Sequence, residues 1–278
     1  MPETSRRRRV AMLCAGAAAA VAVAVPAVTA YAAGGAAPAK PGASISTHPA
    51  KGSKPATPQV SVTPYTPPNV PNGVTPTAAT TITPSAHFSV QVDRTGKKPM
   101  DATWPSASEV FTLAELRQVL PELTAVKATQ CRQGTLPGGG STKKSTECTL
   151  ALTITGEPDD DRSQLMINIR GFGLPQQIGK QWSADLVAAQ RRSSIRPGLY
   201  TFFANNSLGV AAAYTDGTTT KVLLQHGDVA GEIWFSGIGF TTLSSDYLES
   251  RKLYRTAIVP ALVQLLGAKF TDTEKAAA

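Results

Sequence analysis

Apolar and polar residues alternate in several short runs of this chain, which is the pattern of strands that bury one face. In "ECTLALTITG" the alternation places four side chains on one side, namely Cys148, Leu150, Leu152 and Ile154. The following run, "SQLMINIRGFG", does the same with Leu165, Ile167 and Ile169, and the turn-forming "GEPDDDR" joins the two. Together with a strand that enters Cys131, these runs predict an antiparallel meander.

Three other stretches repeat their apolar residues at helical spacing. In "FTLAELRQVLP", Thr112 and Glu115 have the spacing of a capping box and Pro121 is a stop. A second helix is expected in "QQIGKQWSADLVAAQRRSS", which follows Pro175 and places Ile178, Trp182, Leu186 and Ala189 on one face. The third, "SDYLESRKLYRTAIVPALVQLLG", contains Pro260, which predicts a kink or a restart.

The order of these elements predicts the class of fold. A first strand is expected in "HFSVQV", residues 87–92. A helix followed by strands then occurs twice, over residues 109–172 and 174–240, and Asp-Gly and Gly-Asp turns separate the later strands. Strands joined by hairpins argue against a parallel doubly wound sheet. We therefore expect an α+β fold, an antiparallel sheet with packed helices, with two αβββ halves as the suggested arrangement and a C-terminal helix.

The N-terminal residues have the pattern of an export signal. Arginines at residues 6–9 precede an Ala/Val-rich run over residues 10–28, and Ala30-Tyr31-Ala32 fits a cleavage site. We predict a signal peptide over residues 1–32 and a secreted or cell-surface protein. The alternative is an uncleaved signal anchor with the C-terminal domain outside, since the apolar run is about long enough to span a bilayer. Membrane contact is expected only in that alternative.

Residues 33–85 have the composition of a disordered linker. They hold eleven of the 21 prolines, many Ser, Thr and Ala, and no acidic residue. Such a segment cannot bury a core. It is expected to be either a solvated tail or a semi-extended spacer that carries the domain away from a membrane or through a cell wall. The folded part is expected to be a single extracytoplasmic domain over residues 86–278.

Charge is concentrated before that domain. Of the 27 Lys and Arg, four arginines lie in the basic segment and three lysines in the linker, which leaves 20 basic against 18 acidic residues from residue 86 onward. A nearly neutral domain gives no support for a nucleic-acid-binding face, so no nucleic-acid partner is expected.

Cys131 and Cys148 enclose a loop rich in Gly and Lys, "RQGTLPGGGSTKKSTE". A phosphate loop would place Gly-Lys-Ser/Thr directly before a helix, and here a strand follows. A redox pair would be expected as Cys-x-x-Cys, and the three histidines of the chain complete a metal site poorly. Two cysteines in an exported chain favour a disulfide that staples the hairpin.

Other candidate chemistry is sparse, and no catalytic residue, metal site or cofactor is expected. The folded part has no Gly-x-Ser-x-Gly or supported Ser-x-x-Lys arrangement, and His226 near Asp228 fits an exposed turn better than a catalytic base. Three aromatic residues are candidates for lining a ligand groove, as an alternative to a place in the core for the tryptophans: Trp182, Tyr200 and Trp234.

The pattern "FTLAELRQVLPEL…TQC…EC-TLAL" resembles actinobacterial exported domains of unknown function, often lipoproteins, in which a short helix precedes a Cys pair across a hairpin. The resemblance covers roughly residues 109–172. It implies an α+β extracytoplasmic domain and brings no enzymatic activity with it. This chain lacks a lipobox cysteine, since Cys14 lies at the start of the apolar run.

These observations favour an exported, non-catalytic binding or sensing domain of the cell envelope. Its partner would be an envelope protein or a small ligand. The alternative is a secreted hydrolase that acts on wall or polymer substrates, for which the sequence offers no nucleophile or metal constellation.

Overall fold

A computed structural model describes residues 66–67, 73–76, 82–95, 97, 103–135 and 141–270. All of them belong to one compact unit, Thr57–Ala278. The predicted signal peptide and its cleavage site lie outside the described residues, as does the larger part of the predicted linker.

Among the described residues, seven antiparallel strands form one sheet, in agreement with the antiparallel sheet that the alternating pattern predicted. They are β1 (Leu123–Thr135), β2 (Ser141–Ile154), β3 (Gln164–Gly173), β4 (Tyr200–Phe203), β5 (Ala212–Asp216), β6 (Thr219–His226) and β7 (Val229–Ile238). The spatial order is β1-β2-β3-β7-β6-β5-β4. Two meanders therefore meet at their last strands, where Asn168 of β3 lies opposite Trp234 of β7.

Helices lie on both faces of the sheet. They are α1 (Leu113–Val119), α2 (Pro175–Ile195), α3 (Tyr247–Leu253) and α4 (Val259–Phe270), with a 3₁₀ turn at Ala107–Glu109 and a π turn at Tyr254–Ile258 that joins α3 to α4. Within the described residues the first half is αβββ as expected, whereas the second half has four strands after its helix. The α+β class and the C-terminal helix are confirmed.

The two faces of the sheet bury different sets of side chains. Alternate residues of β2 and β3 enter the main core, with Leu150, Leu152 and Leu165 at most 1% exposed, together with α1 and the C-terminal helix. A smaller core forms under α2, where Trp182 and Leu186 pack on Tyr214 and Leu223. The helical spacing of α2 thus predicted its buried side correctly.

The strand expected over residues 87–92 is not formed. Phe88 and Val90 are buried in the main core, but their segment pairs with no strand of the described sheet. The Phe88 N–H donates instead to the carbonyl of Lys269 at 2.8 Å. The alternation of apolar residues in this segment indicates only that one of its sides is buried. That side packs into the main core beside α4, and no neighbouring strand is needed.

Part of the predicted linker is packed against the domain. Ile82 is buried in the main core, and the Thr83 N–H donates to Gln118 Oε1 at 2.9 Å. Val74 forms a parallel bridge with Phe203 at the edge of β4, through hydrogen bonds of 2.7 and 3.0 Å to Phe202 and Ala204. The boundary expected at residue 85 therefore falls inside packed chain.

A buried ion pair ties α1 to α4. Lys269 Nζ lies 3.0 Å from Glu115 Oε2, and both side chains are at most 2% exposed. Glu115 also accepts hydrogen bonds from the N–H groups of Thr112 and Ser85. Burial raises the pKa of Glu115, but these hydrogen bonds and the Lys269 charge outweigh it, so that the pKa lies below its usual range. The capping box that the sequence predicts is present, and its Glu115 also forms the ion pair with Lys269.

Cys131 and Cys148 form a disulfide across β1 and β2. Both strands continue beyond the disulfide, so β1 ends later than the strand end that was expected at Cys131. The residues between the strands, 136–140, lie outside the described part of the chain.

Candidate functional site

The three predicted aromatic residues do not converge on one groove. Trp182 of α2 is fully buried, with its ring centroid 5.3 Å from that of Tyr214 on β5. Tyr200 is half-buried on β4 and stacks on Phe202. Trp234 is half-buried on β7 and lines a shallow depression. Trp182 therefore belongs to the core, and Trp234 is left as a surface candidate.

Trp234 lies between two cations from the neighbouring strands. Lys221 Nζ of β6 is 3.8 Å from its ring centroid, and Arg170 Cζ of β3 is 4.5 Å away. Lys221 also forms an ion pair of 3.6 Å with Asp185 of α2. Cation–π contacts of this kind hold the indole in place and cover it.

Beside this stack lies a buried carboxyl group, Glu232, which is 2% exposed and accepts a hydrogen bond from Trp234 Nε1. Burial raises its pKa to about 7. The negative charge of Asp185 adds to the rise, while the hydrogen bond from Trp234 and the charges of Arg170 and Lys221 oppose it. Sequence analysis missed this group, because nothing in "VAGEIWF" marks one glutamate as buried.

Two further polar atoms lie buried near Glu232 without a hydrogen bond to any described residue, Trp182 Nε1 and Tyr214 Oη. Burial, together with the negative charges of Asp185 and Glu232, raises the pKa of Tyr214 well above its usual range. The apolar core under α2 thus also contains buried polar groups.

The depression next to Trp234 has a volume of about 290 Å³ and opens over β1, β2, β3 and β7. Its walls are about equally polar and apolar, and Asn168 donates to Glu147 across it at 2.8 Å. Cys148 lies at its base, so the disulfide supports this part of the sheet. A site this small and shallow offers little surface for a ligand to bury.

A larger groove lies at the other end of the sheet, between residues 74–76, strand β4 and helix α3. We call it the α3 groove. Its volume is about 670 Å³, within the usual range of ligand sites. Apolar residues form much of its lining: Val74, Pro76, Phe203, Tyr247, Leu248 and Pro260.

The local sequence explains why α3 exposes apolar side chains here. Asp246 caps the helix by accepting from the Glu249 N–H at 2.8 Å, so α3 begins with Tyr247 and Leu248. These two side chains are 58% and 74% exposed. Adjacent exposed apolar residues of this size, beside a concave surface, are typical of a binding site.

The π turn shapes the wall of the groove nearest α4. Proline at position 260 has no N–H to donate to the carbonyl four residues earlier. The Val259 N–H bonds to the Tyr254 carbonyl, five residues back, and the widened turn carries Arg255 and Thr256 on the groove. Single π turns inside α-helices often occur at functional sites. Pro260 was predicted to kink or restart the helix, and it lies just after this change of pitch.

Three cations line the same groove, Arg251, Lys252 and Arg255. Lys252 Nζ lies 3.2 Å from a carboxylate oxygen of Glu249. Neither Arg251 nor Arg255 forms an ion pair with any described residue. The groove therefore combines an apolar lining with uncompensated positive charge.

The remaining candidates from the sequence are engaged in local contacts. Asp228 forms an ion pair with Arg94, and His226 Nδ1 is buried without a hydrogen bond to any described residue. In the acidic turn, Asp159 pairs with Arg162 and Glu157 accepts from the Ser163 N–H at 3.0 Å. No cluster of three His, Cys, Asp or Glu side chains among the described residues could hold a metal ion.

The fold and its grooves define the class of this protein as an α+β domain with one antiparallel sheet and a cationic, apolar surface groove. Comparison with protein-family models, with curated proteins and with solved structures finds no match. In the part of the chain that the structure describes, no helix combines the length and apolarity needed to cross a bilayer.

Proposed function

We propose that the protein is an exported, non-catalytic binding domain of the cell envelope, and that its ligand occupies the α3 groove. The observation that carries this proposal is the exposure of Tyr247 and Leu248 beside a 670 Å³ groove. Exposed apolar area is unfavourable in water, and a ligand that covers these side chains would recover about 25 cal/mol per Å².

A binding role is favoured over hydrolysis because of where the titratable groups lie. Glu232 has a pKa suited to acid–base chemistry, but its side chain is buried and held by Trp234. A polymer substrate could hardly contact a side chain that is only 2% exposed. Among the described residues that line it, the α3 groove contains arginine, lysine and threonine and no carboxylate or imidazole.

Export is supported by the sequence of residues 1–32 and by the disulfide. Disulfides persist in oxidising compartments and are rare in the cytosol. The disulfide joins the two strands of the long β1–β2 hairpin, in which many residues of β1 are exposed to solvent. This covalent bond would stabilise the hairpin of a domain that works outside the cell.

The test is the binding of Nile red, a neutral dye whose fluorescence rises in apolar surroundings. Leu248→Asp should weaken dye binding by about tenfold, because the dye would then have to desolvate a carboxylate. The matched control is Ile195→Asp at the end of α2, where the side chain is 75% exposed and is not one of the residues that line the groove. Equal dye binding by Leu248→Asp and wild type would overturn the proposal.

A further inference from the structure

We propose that the α3 groove binds monomeric anionic amphiphiles, molecules with one apolar chain and a carboxylate or phosphate head. This inference rests on the proposed binding function and names its ligand class. The chain would lie along Phe203 and Leu248, and the head would meet Arg251 and Arg255.

The positive charge of the groove selects an anion. Arg251 and Arg255 are one helical turn apart, and neither has a carboxylate partner among the described residues. Guanidinium groups bind carboxylates and phosphates through paired hydrogen bonds. Glu249, the acidic residue of α3, pairs with Lys252 and so leaves the two arginines uncompensated.

The walls of the groove suit an apolar chain rather than a compact polar ion. Val74 and Pro76 form one side, Phe203 the base, and Tyr247 with Leu248 the other side. Threonine hydroxyl groups are also present in the lining, at Thr75, Thr201 and Thr256. A small inorganic anion would contact the arginines and leave the apolar side chains exposed, so it would gain nothing from most of the groove.

An extended acidic peptide fits less well, because the chain itself already occupies the sheet edge. A peptide that added a strand to β4 would need the carbonyl of Phe202 and the N–H of Ala204. Val74 bonds both of these groups, at 2.7 and 3.0 Å. Val74 therefore already uses the main-chain groups of this edge with which an added peptide strand would form hydrogen bonds.

A flat bilayer surface is also a poorer match than a single molecule. Leu248 and Tyr247 protrude and could reach a bilayer, but Phe203 is 4% exposed at the base of a concave site. A ligand that leaves water as a monomer can enter the groove and contact both levels. The ligand is therefore a single amphiphile molecule, and binding to a membrane surface is one alternative outcome of the experiment.

The experiment measures binding of dodecanoate to the full exported protein by calorimetry, below the concentration at which micelles form. Dodecyltrimethylammonium, with the same chain and opposite charge, should bind about tenfold more weakly, and added salt should weaken dodecanoate binding only. The double variant Arg251→Gln/Arg255→Gln should lose about tenfold in dodecanoate affinity. Arg191→Gln/Arg196→Gln, at exposed positions of α2 and its end, is the matched control and should bind as wild type does.

Four results would overturn the inference. Equal binding of the two dodecyl ions, or no effect of the groove arginines, would remove the role of charge. Sedimentation with phosphatidylglycerol vesicles in the absence of monomer binding would make the surface a membrane dock. Tighter binding of a peptide of alternating Glu and Leu would make it a peptide site. Because Nile red is neutral, its binding to the Arg251→Gln/Arg255→Gln variant shows separately whether the groove itself still binds a ligand.

Discussion

The stability of the domain should fall as pH rises through neutrality, because of one buried carboxyl group. Glu232 is 2% exposed, and burial raises its pKa from the ordinary value of 4.5 to about 7. Between these two pH values the folded protein holds a proton at Glu232 that the unfolded chain has lost. The stabilising contribution is therefore complete below about pH 4.5 and is lost as pH rises through about 7.

The size of the effect follows from the difference between the two pKa values. One pKa unit corresponds to about 1.4 kcal/mol, so a rise from 4.5 to about 7 corresponds to about 3 kcal/mol. The charged groups that face Glu232 are Asp185 of α2, Arg170 of β3 and Lys221 of β6. The two cations limit the cost of ionisation, and Asp185 increases it.

Glu232→Gln should remove this dependence, because the amide keeps an oxygen that can accept the hydrogen bond from Trp234 and carries no titrating proton. We expect the free energy of unfolding of the wild type, measured by urea titration of tryptophan fluorescence, to fall by about 2 to 3 kcal/mol between pH 5 and pH 8. The variant should lack this fall and be the more stable protein at pH 8.

Glu122→Gln, at an exposed position before β1, is the control and should keep the pH dependence of the wild type. If Glu232→Gln shows the same slope as the wild type, the assignment of the proton to this carboxyl is wrong. Loss of stability by Glu232→Gln at pH 5 and pH 8 alike would instead mean that the glutamate is bound as an anion.

Two further predictions concern the staple and the N-terminal boundary. Native exported protein should show no reactive thiol, and Cys131→Ser with Cys148→Ser should lower the free energy of unfolding by about 2 to 4 kcal/mol. Two reactive thiols in the native protein would contradict this, and the control is a shortened loop between β1 and β2 with the disulfide kept, which should change the stability little. A chain that begins at residue 86 should be less stable by about 2 to 4 kcal/mol than one that begins at residue 66, since it loses the burial of Ile82 and the bonds from Thr83 and Ser85 to α1. Equal melting temperatures for the two chains, measured by circular dichroism, would show that this segment adds nothing to the fold.

Local patterns in the sequence were enough to predict most of the elements. The alternation through Cys148 and Leu150 gave strand β2 and its buried side, and the periodicity through Trp182 and Leu186 gave the buried side of α2. The capping box of Thr112 and Glu115 marked the start of α1. These features depend on residues within about two helical turns or one strand, so the chain carries them locally.

The errors and omissions have a common origin in contacts between distant residues. Phe88 and Val90 alternate as in a strand, but whether a partner strand lies beside them depends on the position of α4. Lys269 pairs with Glu115 across 154 residues of chain, and no local pattern distinguishes that lysine from an exposed one. The boundary at residue 85 was drawn from composition, which does not register a single buried residue such as Ile82.

The candidate sites were decided almost wholly by the tertiary structure. Trp182, Tyr200 and Trp234 were chosen by residue type alone. The fold separates them, because Trp182 is buried in the core under α2 whereas Trp234 lines an open depression. The α3 groove joins residues near 74, 203 and 248, which meet only because β4 is an edge strand and the C-terminal helix crosses beside it. Burial and charge at a site are sums over neighbours in space, and a single sequence reports neighbours in the chain.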